Sequence, residues 1–302
     1  MSLFSESGGP VGVPYVAPTV TTTHPPVNVT CTPSSSSLFP VGSTTVSCTA
    51  ADTVGFATCS FRVEVRRPEG QLRVSKFLAF GDSQTEGFLR DPVDYATAFR
   101  PLFIVPTLTY PYRLEQMLRQ RYGRDDVVVV NEGLGGETVI KGHDRIESAL
   151  NKTSPDVLLL LHGYNDLLQI PVADAREALR GMVRAAQVRG VEVVLATLFQ
   201  ISDEREASRP GSQAVISELN NRIRGLAASL RLDGVADLEL AFEGDPSLMG
   251  SDGLHPNPAG YQRVAETFRD EIVRKFEVAP ASPGQADVTS ARTGSSIRRS
   301  GR

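Results

Sequence analysis

The sequence predicts an α/β fold, a parallel sheet with helices on both faces, preceded by a small antiparallel β-sandwich-like module. Short apolar runs alternate with helical patterns after residue 72, and this alternation is typical of parallel sheets. Short Thr-, Val- and Ser-rich runs separated by turn residues fill the first 67 positions, and they favour an antiparallel module. At 302 residues, the chain is long enough for about two such domains.

Charge and cysteine are unevenly distributed along the chain. The sequence has 31 Lys and Arg and 35 Asp and Glu, yet only Glu6 and Asp52 fall within the first 60 positions. All three cysteines, Cys31, Cys48 and Cys59, lie in that same stretch. The first fifth of the chain therefore has a different chemical character from the rest.

The N-terminal fifth divides into two segments. Residues 1–25 are rich in Gly, Pro, Thr and Val without a period, and we expect a linker or a loose strand. Residues 26–67 carry three β-type runs, at 27–32, 44–50 and 59–65. A polar hinge at 66–70 then marks the boundary to the second domain, residues 72–277.

Five apolar runs in the second domain are short, rich in Val and Leu, and bounded by polar turns. Such runs predict buried strands of a parallel sheet. They lie at residues 76–80, 127–130, 157–161, 191–195 and 235–240.

Helical patterns lie between these runs. A capping box from Asp174 to Glu177 predicts the start of a helix that ends near Gly190. Apolar residues recur at helical spacing over 216–230, and Asn257 followed by Pro258 predicts the start of a final helix. The last segment, 278–302, has a low-complexity composition that predicts disorder.

Several classes of protein are excluded by composition and motif. A net charge of −4 argues against nucleic-acid binding, and no apolar run approaches the roughly 18 residues of a membrane span. The chain as given begins without the charged flank and apolar stretch of a signal peptide. No H-E-x-x-H, C-x-x-C or Walker A pattern is present, so neither a metal site nor a nucleotide site is predicted.

Polar motifs follow the strand ends, where parallel sheets place their ligand sites. Ser83 follows the first strand, a glycine-rich loop over 131–138 follows the second, and the segment 162–166 follows the third. Asp252 and His255 stand three apart in a turn before the last helix. Each motif also has an ordinary interpretation, as an Asp-Ser turn, a flexible or phosphate-binding loop, an Asx-turn, or a surface turn.

Only one of the four histidines has an acid at a suitable spacing. His24 lies in the linker, His143 is expected at the surface, and His162 ends a buried strand as a hydrogen-bonded core residue. His255 has Asp252 three residues before it, so it is the candidate general base.

The joint order of these motifs resembles that of the SGNH hydrolases, also called GDSL esterases, over roughly residues 74–277. The resemblance rests on Gly81-Asp82-Ser83, on Gly136, on the Gly-x-Asn-Asp segment 163–166, and on Asp252 with His255. It implies a flavodoxin-like three-layer α/β/α fold with a five-stranded parallel sheet. One departure is a Pro- and aromatic-rich stretch, 88–110, interpreted as a long loop near the nucleophile.

The resemblance implies a serine esterase that needs no cofactor. Ser83, His255 and Asp252 would form the catalytic triad. Its oxyanion hole would comprise the N–H groups of Ser83 and Gly136 and the amide of Asn165. Asp82 and Asp166 would support the loops structurally. The implied partner is a small-molecule, carbohydrate or lipid ester.

Two alternatives belong to other classes. A flavodoxin-like FMN binder also places a loop after its first strand, but it would leave Asp252 and His255 unexplained. A surface adhesion or carbohydrate-binding protein with a catalytically inactive hydrolase-like domain is the second alternative. A colourless protein would dismiss the first, and labelling of Ser83 by a fluorophosphonate would decide the second.

The N-terminal module resembles part of a hyalin repeat, an immunoglobulin-like extracellular domain, over roughly residues 10–67. The resemblance rests on Cys31-Thr32-Pro33, the segments 39–46 and 48–52, and Cys59-Ser60-Phe61. It favours an extracellular or cell-envelope location. We expect Cys31 to pair with Cys48, with Cys59 left over, although other pairings stay open. The sequence does not indicate an oligomeric state.

Overall fold

The computed structural model describes residues 2–5, 10–21, 25–66, 70–90, 102–232 and 234–278. The predicted disorder from residue 279 onward, His24 and most of the predicted hinge lie outside these residues. Within the described ranges, no helix is long and apolar enough to cross a membrane.

The N-terminal residues form two small sheets. Four strands pair in the order β1-β6-β5-β3, antiparallel except for the parallel pair of β1 with β6, and β2 pairs with β4. The first two strands lie in the segment predicted as linker or loose strand. The strands are β1 (Ser2–Phe4), β2 (Val11–Gly12), β3 (Asn28–Thr32), β4 (Leu38–Phe39), β5 (Gly42–Ala51) and β6 (Phe56–Arg66).

A separate small core stabilises this region. Alternate residues of β5 and β6, including Val46, Val63 and Val65, are buried against Val13 and Phe39. Such alternation is expected where one face of a sheet is covered.

The three cysteines of this region lie side by side on neighbouring strands. Cys48 is directly opposite Cys31 on one side and Cys59 on the other. Cys31 and Cys48 form a disulfide, as expected, and Cys59 is a free, exposed thiol.

The remaining strands belong to the α/β part of the chain. Four of them form one parallel sheet in the order β11-β8-β12-β13, and two short pairs, β9 with β10 and β7 with β14, lie apart from it. The strands are β7 (Gln71–Leu72), β8 (Lys76–Gly81), β9 (Phe88–Arg90), β10 (Leu102–Ile104), β11 (Val128–Gly133), β12 (Val157–Leu161), β13 (Glu192–Leu195) and β14 (Glu277–Val278).

The two central strands explain why the apolar runs predicted the sheet. Every residue of β12 is buried, as is every residue of β8 after Lys76. Strands covered by helices on both faces have no solvent side, so an uninterrupted apolar run replaces alternation.

The predicted five-stranded sheet is wrong by one strand. The run at 235–240 contributes only a single parallel bridge, from Ala236 to Ala196. Asp237 then begins a helix, because its side chain accepts the N–H of Leu240. The sheet therefore has four strands and one isolated bridge beside β13.

Eight α-helices are present among the described residues. The predicted capping box is wrong about where the helix over 172–187 begins: the helix starts at Val172, and the carbonyl of Pro171 accepts the N–H of Asp174. The helices are α1 (Ser83–Glu86), α2 (Tyr110–Tyr122), α3 (Val139–Thr153), α4 (Val172–Gln187), α5 (Asp203–Ser208), α6 (Ser212–Ser229), α7 (Leu238–Phe242) and α8 (Pro258–Phe276).

The start of the last helix is confirmed. Asn257 accepts the N–H groups of Ala259 and Gly260, and Pro258 occupies the first helical position. Apolar residues of α8, among them Val264, Phe268 and Ile272, are buried. The last helix is therefore capped at its start and packed along one face.

The helices form two layers around the sheet. Helix α2 packs against α8, whereas α3 packs against α4 and α4 against α6. The strand order leads from β8 to β11 on one side and then to β12 on the other. Because such connections are almost always right-handed, α2 is expected on one face of the sheet and α3 and α4 on the other. Ligand crevices of such sheets open at this change of side, beyond the carboxyl end of the strand.

The stretch predicted as a long loop near the nucleophile is partly ordered into strands. Phe88 pairs with Ile104 and Arg90 with Leu102 in a short antiparallel pair. Residues 91–101, between these strands, lie outside the described part of the chain.

Candidate active site

Three of the sequence motifs begin at one level of the sheet. In the strand register, Gly81 of β8 is level with Gly133 of β11 and with Leu161 of β12. The N–H of Leu134 also donates to the carbonyl of Gly81. The loops that follow these strands are therefore neighbours, as strand-end positions predict.

Ser83 is the first residue of the short helix α1, directly after β8. Asp82 caps this helix, accepting the N–H of Gln84, and the carbonyl of Ser83 accepts the N–H of Gly87. Only 7% of Ser83 is exposed. The serine is thus held at the carboxyl end of a central strand with little access to solvent.

His255 lies between Ser83 and Asp252, although Ser83 is 172 residues away in sequence. Its Nε2 is 2.9 Å from the Oγ of Ser83, and its Nδ1 is 2.7 Å from Oδ2 of Asp252. The other carboxylate oxygen of Asp252 accepts the N–H groups of Leu254 and His255. The backbone of this turn therefore fixes the acid, and the acid orients the imidazole.

The electrostatics of Asp252 suit this arrangement. Burial alone would raise the pKa of Asp252, but the hydrogen bond and charge of His255 outweigh it and lower the pKa to about 2. The carboxylate is therefore ionised at neutral pH. With Nδ1–H donating to Asp252, Nε2 of a neutral imidazole can accept the proton of a serine hydroxyl.

Gly136 and Asn165 are brought together by the loops after β11 and β12. Gly136 has a φ of +76°, which glycine adopts without strain. The side-chain amide of Asn165 donates to the carbonyl of Glu137 at 3.0 Å, which leaves its second N–H for another acceptor. No acceptor among the described residues takes the N–H of Ser83 or Gly136. Such donors can stabilise negative charge on a ligand oxygen.

Asp82 and Asp166 accept backbone N–H groups within these loops. Besides Gln84, Asp82 accepts from Gly163 and Tyr164 at 3.1 Å, so it connects the turn of Ser83 to the loop after β12. Asp166 accepts from Val139, the first residue of α3. Burial raises the pKa of Asp166 to about 6.

Two further residues at the site carry no motif signal in the sequence. The ring of Phe88 lies 5.9 Å from the ring of His255 and borders the base. The Nε2 of Gln84 donates to the carbonyl of Leu254, beside His255, at 3.0 Å. This bond connects the serine's helix to the turn that carries the base.

A buried group of charges behind the site was also missed. Arg145 of α3 donates two hydrogen bonds of 2.7 Å to Glu137, and Glu137 contacts His162. The prediction that His162 is a hydrogen-bonded core residue is confirmed, since it is 1% exposed. His143 is half exposed, as expected.

Metal binding finds no support in the part of the chain that the structure describes. No group of three or more His, Cys, Asp or Glu side chains there has a geometry suited to a metal ion.

Solved structures with this architecture include several ester hydrolases. A lipase/acylhydrolase from Enterococcus faecalis is 28% identical, with a TM-score of 0.55, and the match covers 70% of this chain and 100% of that one. A carbohydrate acetylesterase from Sinorhizobium meliloti is 18% identical, with a TM-score of 0.56 and coverage of 67% and 100%.

A third solved structure has the same fold. It is a catalytic mutant of an acetylxylan esterase from Geobacillus stearothermophilus, 18% identical, with a TM-score of 0.51 and coverage of 66% and 94%. At these lower identities the likeness concerns the fold alone. A search of curated proteins finds no match.

A family model identifies the chain more directly. The model of the GDSL-like lipase/acylhydrolase family matches residues 79–263, which is more than half of the chain and includes both Ser83 and His255. The chain therefore belongs to the GDSL-like lipase/acylhydrolase family.

Proposed function

We propose that the protein is a serine esterase in which Ser83, His255 and Asp252 hydrolyse acyl esters. The observation that carries the proposal is the position of His255, 2.9 Å from the hydroxyl of Ser83 and 2.7 Å from the carboxylate of Asp252. A continuous serine–imidazole–carboxylate chain is the arrangement that activates a serine as a nucleophile.

In the first half of the reaction, Ser83 is acylated. The Oγ of Ser83 attacks the ester carbonyl carbon while its proton passes to Nε2 of His255. The N–H groups of Ser83 and Gly136 and the free N–H of Asn165 would stabilise the resulting oxyanion. When the tetrahedral intermediate collapses, the imidazolium gives its proton to the leaving alcohol.

In the second half, water releases the acid. His255 takes a proton from water as the oxygen attacks the acyl carbonyl, and it returns that proton to Ser83 when the acyl–oxygen bond breaks. Asp252 stays ionised throughout, because its pKa of about 2 lies far below neutral pH. His255 alone therefore carries the proton in each half of the reaction, first from Ser83 to the alcohol and then from water to Ser83.

Short acyl groups are the proposed substrates. Ser83 and His255 are only 7% and 5% exposed, and the ring of Phe88 borders the base, so the approach to the nucleophile is narrow. An acetyl ester of a carbohydrate fits this approach, because its acyl part is small and its alcohol part can stay outside. Two of the proteins that share the fold are acetyl-carbohydrate esterases.

A hydrolysis screen tests the reaction and the acyl preference together. The full chain would be assayed on p-nitrophenyl esters from acetate to palmitate, with acetylated xylan alongside. We expect Ser83→Ala to abolish turnover and Ser247→Ala, at an exposed serine, to match the wild type. Asn165→Ala should lower kcat by about 10²–10³-fold, as loss of one oxyanion donor does. Full activity of Ser83→Ala on the acetate would refute the mechanism.

A fluorophosphonate label distinguishes this proposal from an inactive adhesion protein. An activated serine reacts with the probe, whereas a serine without a base does not. We expect labelling of the wild type and of Ser247→Ala but not of Ser83→Ala. An unlabelled wild type would favour the adhesion alternative.

The N-terminal module is proposed to be a hyalin-repeat-like spacer exposed to an oxidising compartment. The disulfide between Cys31 and Cys48 supports such a location, since these bonds persist mainly outside the cytosol.

A further inference from the structure

A second histidine is buried directly behind the proposed catalytic residues. His162 follows β12, and its side chain has no exposed surface. Its Nε2 lies 3.2 Å from Oε2 of Glu137, and its Nδ1 lies 3.6 Å from Oδ2 of Asp82. The ring therefore lies between the turn that precedes Ser83 and the loop that follows Gly136.

The two contacts indicate the charge of this ring. An ionised carboxylate can only accept hydrogen bonds, and a neutral imidazole has only one N–H. Nε2 of His162 is within hydrogen-bond distance of Glu137, whereas Nδ1 forms no hydrogen bond and lies within ion-pair distance of Asp82. The doubly protonated imidazolium is the form that satisfies both contacts.

The charged groups on each neighbouring element agree with a cation at this position. Asp82 comes from the turn after β8, Glu137 from the loop after β11, and Asp166 from the turn after β12. Arg145 of α3 is the opposing cation, and both its hydrogen bonds to carboxylate go to Glu137. Arg145 also lies 3.7 Å from the carboxylate of Glu132 in β11, so four acidic groups surround His162 and Arg145.

The pKa shifts have the matching signs. Burial alone would lower the pKa of His162, but the nearby carboxylates of Asp82 and Glu137 outweigh it and raise the pKa to about 9. Burial alone would raise the pKa of Glu137, but Arg145 and His162 lower it to about 2.

Helix α3 makes room for the ring. A Cβ placed on Gly142 would come within 2.6 Å of Nε2 of His162, too close for any side chain at that position. A glycine in a helix interior is itself unfavourable by roughly 1 kcal/mol relative to alanine. The chain thus accepts a less stable helix where the imidazole lies.

We propose that His162 is a positioning residue whose imidazolium holds the turn of Ser83 and the loop of Gly136 at a fixed separation. Loss of its proton at alkaline pH should therefore lower turnover. Asp82 immediately precedes Ser83, and Glu137 immediately follows Gly136. An ion pair on each side of one ring fixes the separation of nucleophile and oxyanion donor. This inference rests on the esterase function proposed above.

Nuclear magnetic resonance of the histidine ring nitrogens tests the protonation without any substrate. The full-length, ¹⁵N-labelled protein would be titrated from pH 6 to pH 10, with His162→Gln and His143→Asn used to assign the signals. We expect one histidine to carry two ring protons at pH 7.5 and to titrate only above pH 8. A single-proton, neutral His162 at pH 7.5 would overturn the inference.

Kinetics tests the positioning role. At pH 8, His162→Gln should lower kcat for p-nitrophenyl acetate by about 10- to 100-fold, the effect of a slightly misplaced reacting group, with KM nearly unchanged. Its kcat should also lack the fall above pH 9 expected for the wild type. His143→Asn, at a half-exposed histidine, should leave both kcat and its pH profile unchanged. If His162→Gln has the same kcat as the wild type, and its kcat falls above pH 9 in the same way, the positioning role of His162 is refuted.

A second variant keeps the test decisive if His162→Gln does not fold. Glu137→Gln removes one of the two carboxylates but retains a carbonyl oxygen for Arg145. The ring of His162 should then lose its proton at a lower pH. The fall of kcat at alkaline pH should also begin at a lower pH than in the wild type. If the ring of His162 titrates at the same pH in Glu137→Gln as in the wild type, the inference is contradicted. An enzyme inactive on every ester would instead refute the esterase function, and the ring titration would still decide the charge of His162.

Discussion

Replacing Asp82 with alanine should destabilise the protein far more than an ordinary loss of an acidic side chain. Its carboxylate accepts the N–H groups of Gln84, Gly163 and Tyr164, each at 3.1 Å, and it lies 3.6 Å from His162. Asp82 itself has no exposed surface. The substitution therefore leaves three buried donors and one buried cation without their acceptor.

The magnitude follows from these contacts. Each buried donor left without a partner costs about 1–3 kcal/mol. Three donors give at least about 3 kcal/mol, a large part of the roughly 5–15 kcal/mol by which domains are stable. Water entering the space left by the carboxylate would keep the loss near the lower end of the range.

Urea unfolding followed by far-ultraviolet circular dichroism measures this loss. The chain contains no tryptophan, and all described helices lie between residues 83 and 276, so the helical signal reports on the α/β part. Asp144→Ala is the matched control, because the side chain of Asp144 is 78% exposed, and its effect should stay within about 0.5 kcal/mol. A free energy of unfolding for Asp82→Ala within about 1 kcal/mol of the wild type would refute the reasoning.

Three further predictions concern the base, the last helix and pH. Asp252→Asn should lower kcat by about 10⁴-fold, because the amide favours the wrong imidazole tautomer, and an esterase assay at pH 8 measures it. Asn257→Ala removes the cap of α8 and should lower the unfolding free energy by about 1–2 kcal/mol in urea, whereas a change below 0.3 kcal/mol would contradict the cap's role. Because the pKa of His162 is raised from 6.5 to about 9, its stabilisation is complete below pH 6.5 and is lost as pH rises through 9. Unfolding free energies between pH 6 and 10 should therefore fall in the wild type but not in His162→Gln.

The sheet was largely predictable because its strands are uniformly apolar. The predicted runs at 76–80 and 157–161 lie in β8 and β12, which are buried on both faces. The prediction of a fifth strand was wrong because the capping contact of Asp237 overrides the apolar pattern of its segment. Arg224 of α6 pairs with Asp237 and Glu239, and Asp237 caps α7 where the apolar pattern predicted a strand.

The ends of helices were less predictable than their existence. A capping box at Asp174 to Glu177 satisfies the local rule, yet the cap position is Pro171, three residues earlier, and α4 begins at Val172. The carbonyl of Pro171 accepts the N–H groups of Asp174 and Ala175, so the first turn closes before Asp174 without a side-chain cap.

For the site, the strand-end rule was sufficient to bring the motif loops together. The positions after β8, β11 and β12 are neighbours in any parallel sheet with this order, whatever the side chains. The strand-end rule does not predict the buried contacts among Arg145, Glu137 and His162. His162 is 80 residues from Asp82 and 25 from Glu137, and neither separation corresponds to a known spacing.

The contact between Gly142 and His162 restricts how the chain can vary. Because one volume holds either the ring or a Cβ at position 142, the two positions form an epistatic pair. Alanine at 142 would be neutral or favourable only after His162 has become smaller, and that change would leave Glu137 and Asp82 without their shared cation. We therefore expect Gly142→Ala to be tolerated better when residue 162 is smaller than histidine.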